Sequence, residues 1–180
     1  MKSPDDARDK PPRADRLHDL VIRAARSADA EAITAMVNMP GFRSGTLRLP
    51  FQTIAETRAW LDNPAPCAKQ LVAEYEGQII GDIGLTPAQF GRRRHAAGLG
   101  MGVHDAFVGR GVGSALIGAV LDIADNWLAL RRIELTVFAD NESAIRLYEN
   151  NGFITEGRFT DFAFRDGRYV DAYSMARLKT

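Results

Sequence analysis

The sequence has little of what would mark it for special chemistry. It holds one cysteine, Cys67, in 180 residues. No internal disulfide can form, and a reduced, cytoplasmic setting is expected. Charge of neither sign prevails, since 23 Lys+Arg stand against 23 Asp+Glu. A dedicated nucleic-acid binder carries a surplus of basic charge, so that class of partner is excluded. Apolar runs stay far below the roughly 18 residues that span a membrane, and no membrane partner is expected. The opening MKSPDDARDKPPRADRLHD lacks an apolar core, so it does not read as a signal peptide. No metal site is expected.

What is present suits one domain. The chain is 46% hydrophobic, and its length can bury a core without staples. Residues 1–19 read as a disordered tail with Pro4, Pro11 and Pro12, five basic and five acidic residues, and almost nothing to bury. Residues 20–180 are then the domain.

Strand and helix patterns alternate along it. Leu20–Ile22 reads as a short strand and Ala32, Ile33, Met36 and Val37 as a helix face. Met39–Pro50 reads as a loop, with Pro40, Gly41, Gly45 and Pro50. Thr53–Leu61 is a second helix, and Gln70–Tyr75 with Gln78–Leu85 a hairpin around Glu76-Gly77. A Gly-rich strand, Ala97–His104, leads to the clearest helix, where Val112, Ala115, Leu116, Ala119, Val120, Ile123 and Trp127 form an apolar stripe. Arg132–Phe138 is a β-branched strand, and Asn141–Asn150 a helix with Gly152 at its left-handed cap. Phe153–Thr155, Phe159–Arg165 and Tyr169–Leu178 read as strands. The order βααβββαβαββ predicts an α/β (α+β) fold: a mixed, mostly antiparallel sheet of six to seven strands with helices on both faces.

The most informative segment is Val108-Gly109-Arg110-Gly111-Val112-Gly113-Ser114, between a strand end and that long helix. Glycines let backbone approach a ligand, and the helix start offers unpaired amides with partial positive charge. Together they suit a phosphate. The dinucleotide pattern G-x-G-x-x-G fails, because counting from Gly111 its third glycine falls on Leu116. The triphosphate loop also fails, because Gly113-Ser114 has no lysine between.

These residues resemble the GNAT family of N-acetyltransferases. Leu99 to His104, then the loop through Ser114-Ala115-Leu116, resemble the block with the signature [QR]-x-x-G-x-[GA], and Asn141 to Phe153 resemble N-x-x-A-x-x-L-Y-x-x-x-G-F. Asp125-Asn126-Trp127, Arg132–Phe138 and Tyr169–Arg177 are similar to the YhhY-type L-amino-acid N-acetyltransferases within it. The resemblance implies the GNAT fold, acetyl-CoA as co-substrate, a small-molecule amine as acceptor and a homodimer. It implies that backbone at Met101, Gly102 and Val103 pairs with pantetheine. It further implies that amides of Gly109, Arg110, Gly111, Val112, Gly113 and Ser114 hold pyrophosphate. Asn141 and Tyr148 would touch the cofactor. Tyr148 would also protonate the departing thiolate as general acid, since a phenol with a pKa near 10 suits a thiolate whose thiol lies near 8.5.

The sequence departs from the family at three places. Val108 stands where Gln or Arg is usual, and Gly98 and Thr136 stand at frequent acidic positions. A proton must still leave the amine. Glu134, Asp171, Glu74, His95 and His104 are candidate bases beside a plain water chain. Arg43 and Arg48, in the first inter-helix loop, are candidates for an acceptor carboxylate because guanidinium binds it in bidentate fashion. Glu134 and Asp171 complete the acceptor-side candidates. The activity this implies is acetyl transfer to the α-amine of free L-amino acids by direct attack. The alternatives are transfer to a protein or peptide N-terminus, and a non-catalytic acyl-CoA-binding sensor.

Overall fold

A computed structural model describes residues 17–179. Most of the expected tail, residues 1–16, lies outside them, while Leu17 packs partly buried against the core. The elements run β1 (Val21–Ala24), α1 (Ala30–Val37), α2 (Pro40–Ser44), α3 (Ile54–Asp62), β2 (Lys69–Tyr75), β3 (Gln78–Pro87) and β4 (Ala96–Val103). They continue with α4 (Val112–Asn126), β5 (Arg132–Phe138), α5 (Glu142–Glu149), β6 (Ile154–Arg165) and β7 (Arg168–Leu178).

One seven-stranded sheet has the order β1-β2-β3-β4-β5-β7-β6. Every neighbouring pair is antiparallel except β4 with β5. Strand alternation sends adjacent side chains to opposite faces. Val72 joins Ile33, Met36, Val37, Phe42 and Ile79 under α1 and α2. Ala73, its neighbour, joins Leu116, Ile117, Val120 and Tyr148 under α4 and α5. The predicted helices on both faces are there.

Local chemistry explains the element ends. Thr53 and Glu56 form a capping box for α3: Thr53 Oγ1 accepts from the Glu56 amide at 3.2 Å, and Glu56 Oε2 from the Thr53 amide at 2.7 Å. Gly152 takes φ +82° after α5, the left-handed cap its position called for.

Three readings need correction. The Met39–Pro50 loop contains α2, whose first amides are capped from far away: the Asp105 carboxylate accepts from Gly41 at 2.9 Å and Phe42 at 2.8 Å. Trp127 does not extend the α4 stripe, because α4 ends at Asn126 and the indole stands 78% exposed. The two strands read at Phe153–Thr155 and Phe159–Arg165 are one strand, β6, broken by register shifts after Thr155 and Phe159. Among the described residues, no helix is long and apolar enough to cross a membrane.

Candidate active site

The parallel β4–β5 ladder is short. It pairs Ala96 with Arg132, Ala97 with Ile133 and Gly98 with Glu134, and then the strands part. Beyond that point β4 stays bonded to β3 as far as Val103 and β5 to β7 as far as Phe138. Each has its facing edge unpaired, and unpaired backbone groups call for a ligand that can satisfy them. A cleft of about 1220 Å³ fills the wedge, lined by Leu99 to Val103 on one side and Glu134 to Val137 on the other.

The cleft runs to the start of α4. Gly109 has φ +80° and Gly111, the N-cap, φ +91°, so both need glycine. No side chain caps this helix, and its first amides point outward unbonded. At Gly113 a Cβ would come within 2.9 Å of Leu147 and 3.2 Å of Met101, so glycine lets α4 seat against β4 and α5. An extended donor carrying amides at one end and phosphates at the other fits this arrangement: free strand edge first, then uncapped helix.

Of the residues expected at the cofactor, Met101, Gly102, Val103, Gly109, Gly111, Gly113, Ser114, Asn141 and Tyr148 line the cleft. The side chains of Arg110 and Val112 point elsewhere. Arg110 stacks over Phe107 at 5.2 Å, and Val112 is buried in the core, so each can offer only its amide. Asn141 caps α5, its Oδ1 accepting from the Ala144 amide at 3.2 Å, while also facing the cleft. Tyr148 is 7% exposed, with its ring 5.7 Å from that of Phe153. Burial pushes its phenol up to about 12, above the unperturbed value. That makes it a weaker acid than the ordinary tyrosine the sequence suggests.

The acceptor-side candidates separate. Glu134 lines the cleft, but Arg132 and Arg93 both bond its carboxylate, holding it ionised below the usual range. Asp171 lies outside the cleft; it accepts from the Asp161 amide at 2.9 Å and pairs with Arg158, pinning the β6 irregularity. Arg43 lines neither cavity. Arg48 lines a second cavity of about 520 Å³ on the α1 face of β4, its guanidinium 5.5 Å over Trp60 and donating to Gln52 Oε1 at 2.8 Å. Glu74 pairs with Arg23, and His104 Nδ1 accepts from the Ala106 amide.

Sequence reasoning missed Asp105, which ties α2 to the end of β4, and also Asp82 and Gln70 in the second cavity. A signal existed for Asp82: it is the lone charge in the otherwise apolar stretch Ile79–Leu85.

Fold and cleft together suit a long, phosphate-bearing ligand laid along a free strand edge. The comparisons specify which. The profile of the Acetyltransferase (GNAT) family matches residues 42–153. The L-amino acid N-acetyltransferase AaaT of Escherichia coli (strain K12) is 41% identical over 165 residues, covering 91% of this chain and 100% of that protein. The crystal structure of a GNAT-family acetyltransferase from Streptococcus pneumoniae superposes with TM-score 0.79 at 29% identity, over 90% of this chain and 100% of that one. The fold also matches yncA of Salmonella typhimurium, solved with its cofactor acetyl-CoA: TM-score 0.78 and 22% identity, over 89% and 94% of the chains. The chain belongs to the GNAT acetyltransferase family and is an acetyl-CoA-dependent N-acetyltransferase.

Proposed function

We propose that the protein acetylates the α-amine of free L-amino acids by direct attack, with Tyr148 as general acid. The observation that carries the reading is the place of Tyr148: a phenol of α5 that lines the cleft beside Leu147, in the wall of the wedge where β4 and β5 part. Likeness to the E. coli enzyme named for L-amino acids supports the acceptor class.

Acetyl-CoA, when bound, supplies an acyl carbon activated as a thioester. Backbone groups at Met101, Gly102 and Val103 bind its amide-bearing arm, and the amides from Gly109 to Ser114 bind its pyrophosphate. Asn141 borders the same channel. As the amine forms its N–C bond and the C–S bond breaks, Tyr148 would give its proton to the leaving sulfur and regain one from solvent. The proton lost by the amine passes to water. Positioning along a rigid strand edge, rather than a covalent acyl-enzyme, lowers the barrier. Cys67 is exposed and lines neither cavity, which accords with direct attack.

Incubation with acetyl-CoA and a panel of amino acids, following thiol release, tests the proposal. Release with free amino acids is the expected result. Release only with peptides moves the activity to protein or peptide N-termini, and binding without release leaves an acyl-CoA sensor.

A further inference from the structure

The second cavity has a composition that cofactor binding does not explain. Gly98, Gly100 and Gly102 of β4 stand opposite Thr86, Gly84 and Asp82 of β3 on the α1 face of the sheet. The floor is therefore largely bare backbone, and the polar groups on it stand out. Phe42, Arg48 and Trp60 form the walls. The cavity shares Gly98 to Met101 with the cofactor cleft, so a molecule seated in it reaches the strand along which the acyl donor lies.

Two atoms here are orphaned. Asp82 Oδ1 and Gln70 Oε1 are both buried without a hydrogen-bond partner among the described residues, and Asp82 is only 7% exposed. Both are acceptors. A buried carboxylate oxygen left without a donor costs several kcal/mol, and a cationic nitrogen removes that cost by bringing both charge and N–H donors. Glycine at position 84 makes room for the Gln70 amide, since a Cβ there would lie 2.7 Å from its Oε1. Arg48 acts on Asp82 only through its charge, not through a hydrogen bond. One positive and one negative group thus face the same cavity without neutralising each other by contact.

That arrangement matches a molecule with an anionic and a cationic end. A second cation beside Arg48 is disfavoured, which excludes a simple diamine, whereas a carboxylate is suited to it. Asp82 stands opposite Gly102, two residues beyond Gly100, or about 7 Å along the strand. That is the reach of a lysine or ornithine side chain from an α-amine held near Gly100. We infer that this cavity is the acceptor's side-chain pocket, in which Asp82 and Gln70 select free amino acids with a cationic side chain while Arg48 holds the carboxylate. The inference rests on the proposed acetyl transfer to free amino acids.

The test compares lysine with norleucine, which has an apolar side chain of similar reach and no ammonium, using the full chain and acetyl-CoA. Lysine should exceed norleucine in kcat/KM by about tenfold or more, the worth of a charge-assisted hydrogen bond, with acetylation on the α-nitrogen. Asp82→Asn should bring the ratio near one while the KM for acetyl-CoA stays within about twofold, and Gln70→Leu should lower the ratio in the same direction. Should Asp82→Asn not fold, Gln70→Leu and the wild-type ratio still decide. Norleucine turned over as well as lysine, a ratio unmoved in both variants, side-chain acetylation, or cadaverine preferred to lysine each overturn the inference and leave amino-acid acetylation standing. No turnover of any amino acid overturns both.

Discussion

The ring of Phe42 lies on the backbone of Gly102 so closely that a Cβ at position 102 would fall 2.2 Å from two ring carbons. This contact joins α2 to β4 and places Phe42 in the wall of both cavities. Gly102→Ala should displace Phe42 and cost about 1–3 kcal/mol, as overpacking does. In a Phe42→Ala background the same change should cost clearly less. Thermal denaturation of the four proteins in this cycle measures the coupling, and equal costs in both backgrounds would disprove it.

Tyr148→Phe should lower turnover by about 10²-fold or more if the phenol is the general acid, with acetyl-CoA affinity nearly intact. Burial pushes the phenol up to about 12, so deprotonation of Tyr148 should give the wild type no alkaline limb at the ordinary tyrosine value near 10. Steady-state rates up to that pH check this. Unchanged turnover in Tyr148→Phe removes the residue from the chemistry.

Two glycines, one at the N-cap of α4 and one inside it, should respond to alanine with opposite signs. Gly111 holds φ +91°, a conformation that costs an L-residue about 1–2 kcal/mol. Gly111→Ala should destabilise the fold and weaken acetyl-CoA binding. Gly118 is exposed in mid-helix, and an added Cβ there would meet nothing within 4 Å. Gly118→Ala should add about 0.5–1 kcal/mol of stability and leave binding alone. Melting temperatures with a cofactor titration separate the two.

Asp82 should make stability depend on pH. Burial pushes its carboxyl up to about 6, with the Arg48 charge pulling it back in part. The folded state then binds the proton more tightly than the unfolded chain, whose carboxyl titrates near 3.9. Stability from this group is full below that lower value and is lost as pH rises through about 6. Asp82→Asn should therefore raise stability relative to wild type at pH 8, by about 1–3 kcal/mol, and the gain should vanish by pH 4. Denaturant unfolding at the two pH values measures it, and a gain equal at both would contradict it.

Much of this architecture is legible in local sequence. Arg132–Phe138 alternates Ile133, Leu135 and Val137 inward, and its bounds as a strand match the sequence pattern at both ends. Asn141 and Gly152 bracket α5 as cap chemistry requires. The glycine loop announces an uncapped helix start because only glycine takes those backbone angles readily. What was illegible depends on partners distant in sequence. α2 is capped by Asp105, 64 residues away from Gly41. Glu134 loses its promise as a base because Arg132 beside it and Arg93, 41 residues earlier, both bond its carboxylate, and the second of these is visible only in the fold.

By itself, then, the sequence determined the order of the strands and of four of the five α-helices and the phosphate-suited loop, since each rests on periodicity, capping or backbone freedom within a few residues. Tertiary structure alone decided where β4 and β5 part and which face Asp82, Gln70 and Arg48 share. Those follow from sheet register and from helices packed across it. A carboxylate's partners, or its lack of them, exist only once the chain has folded.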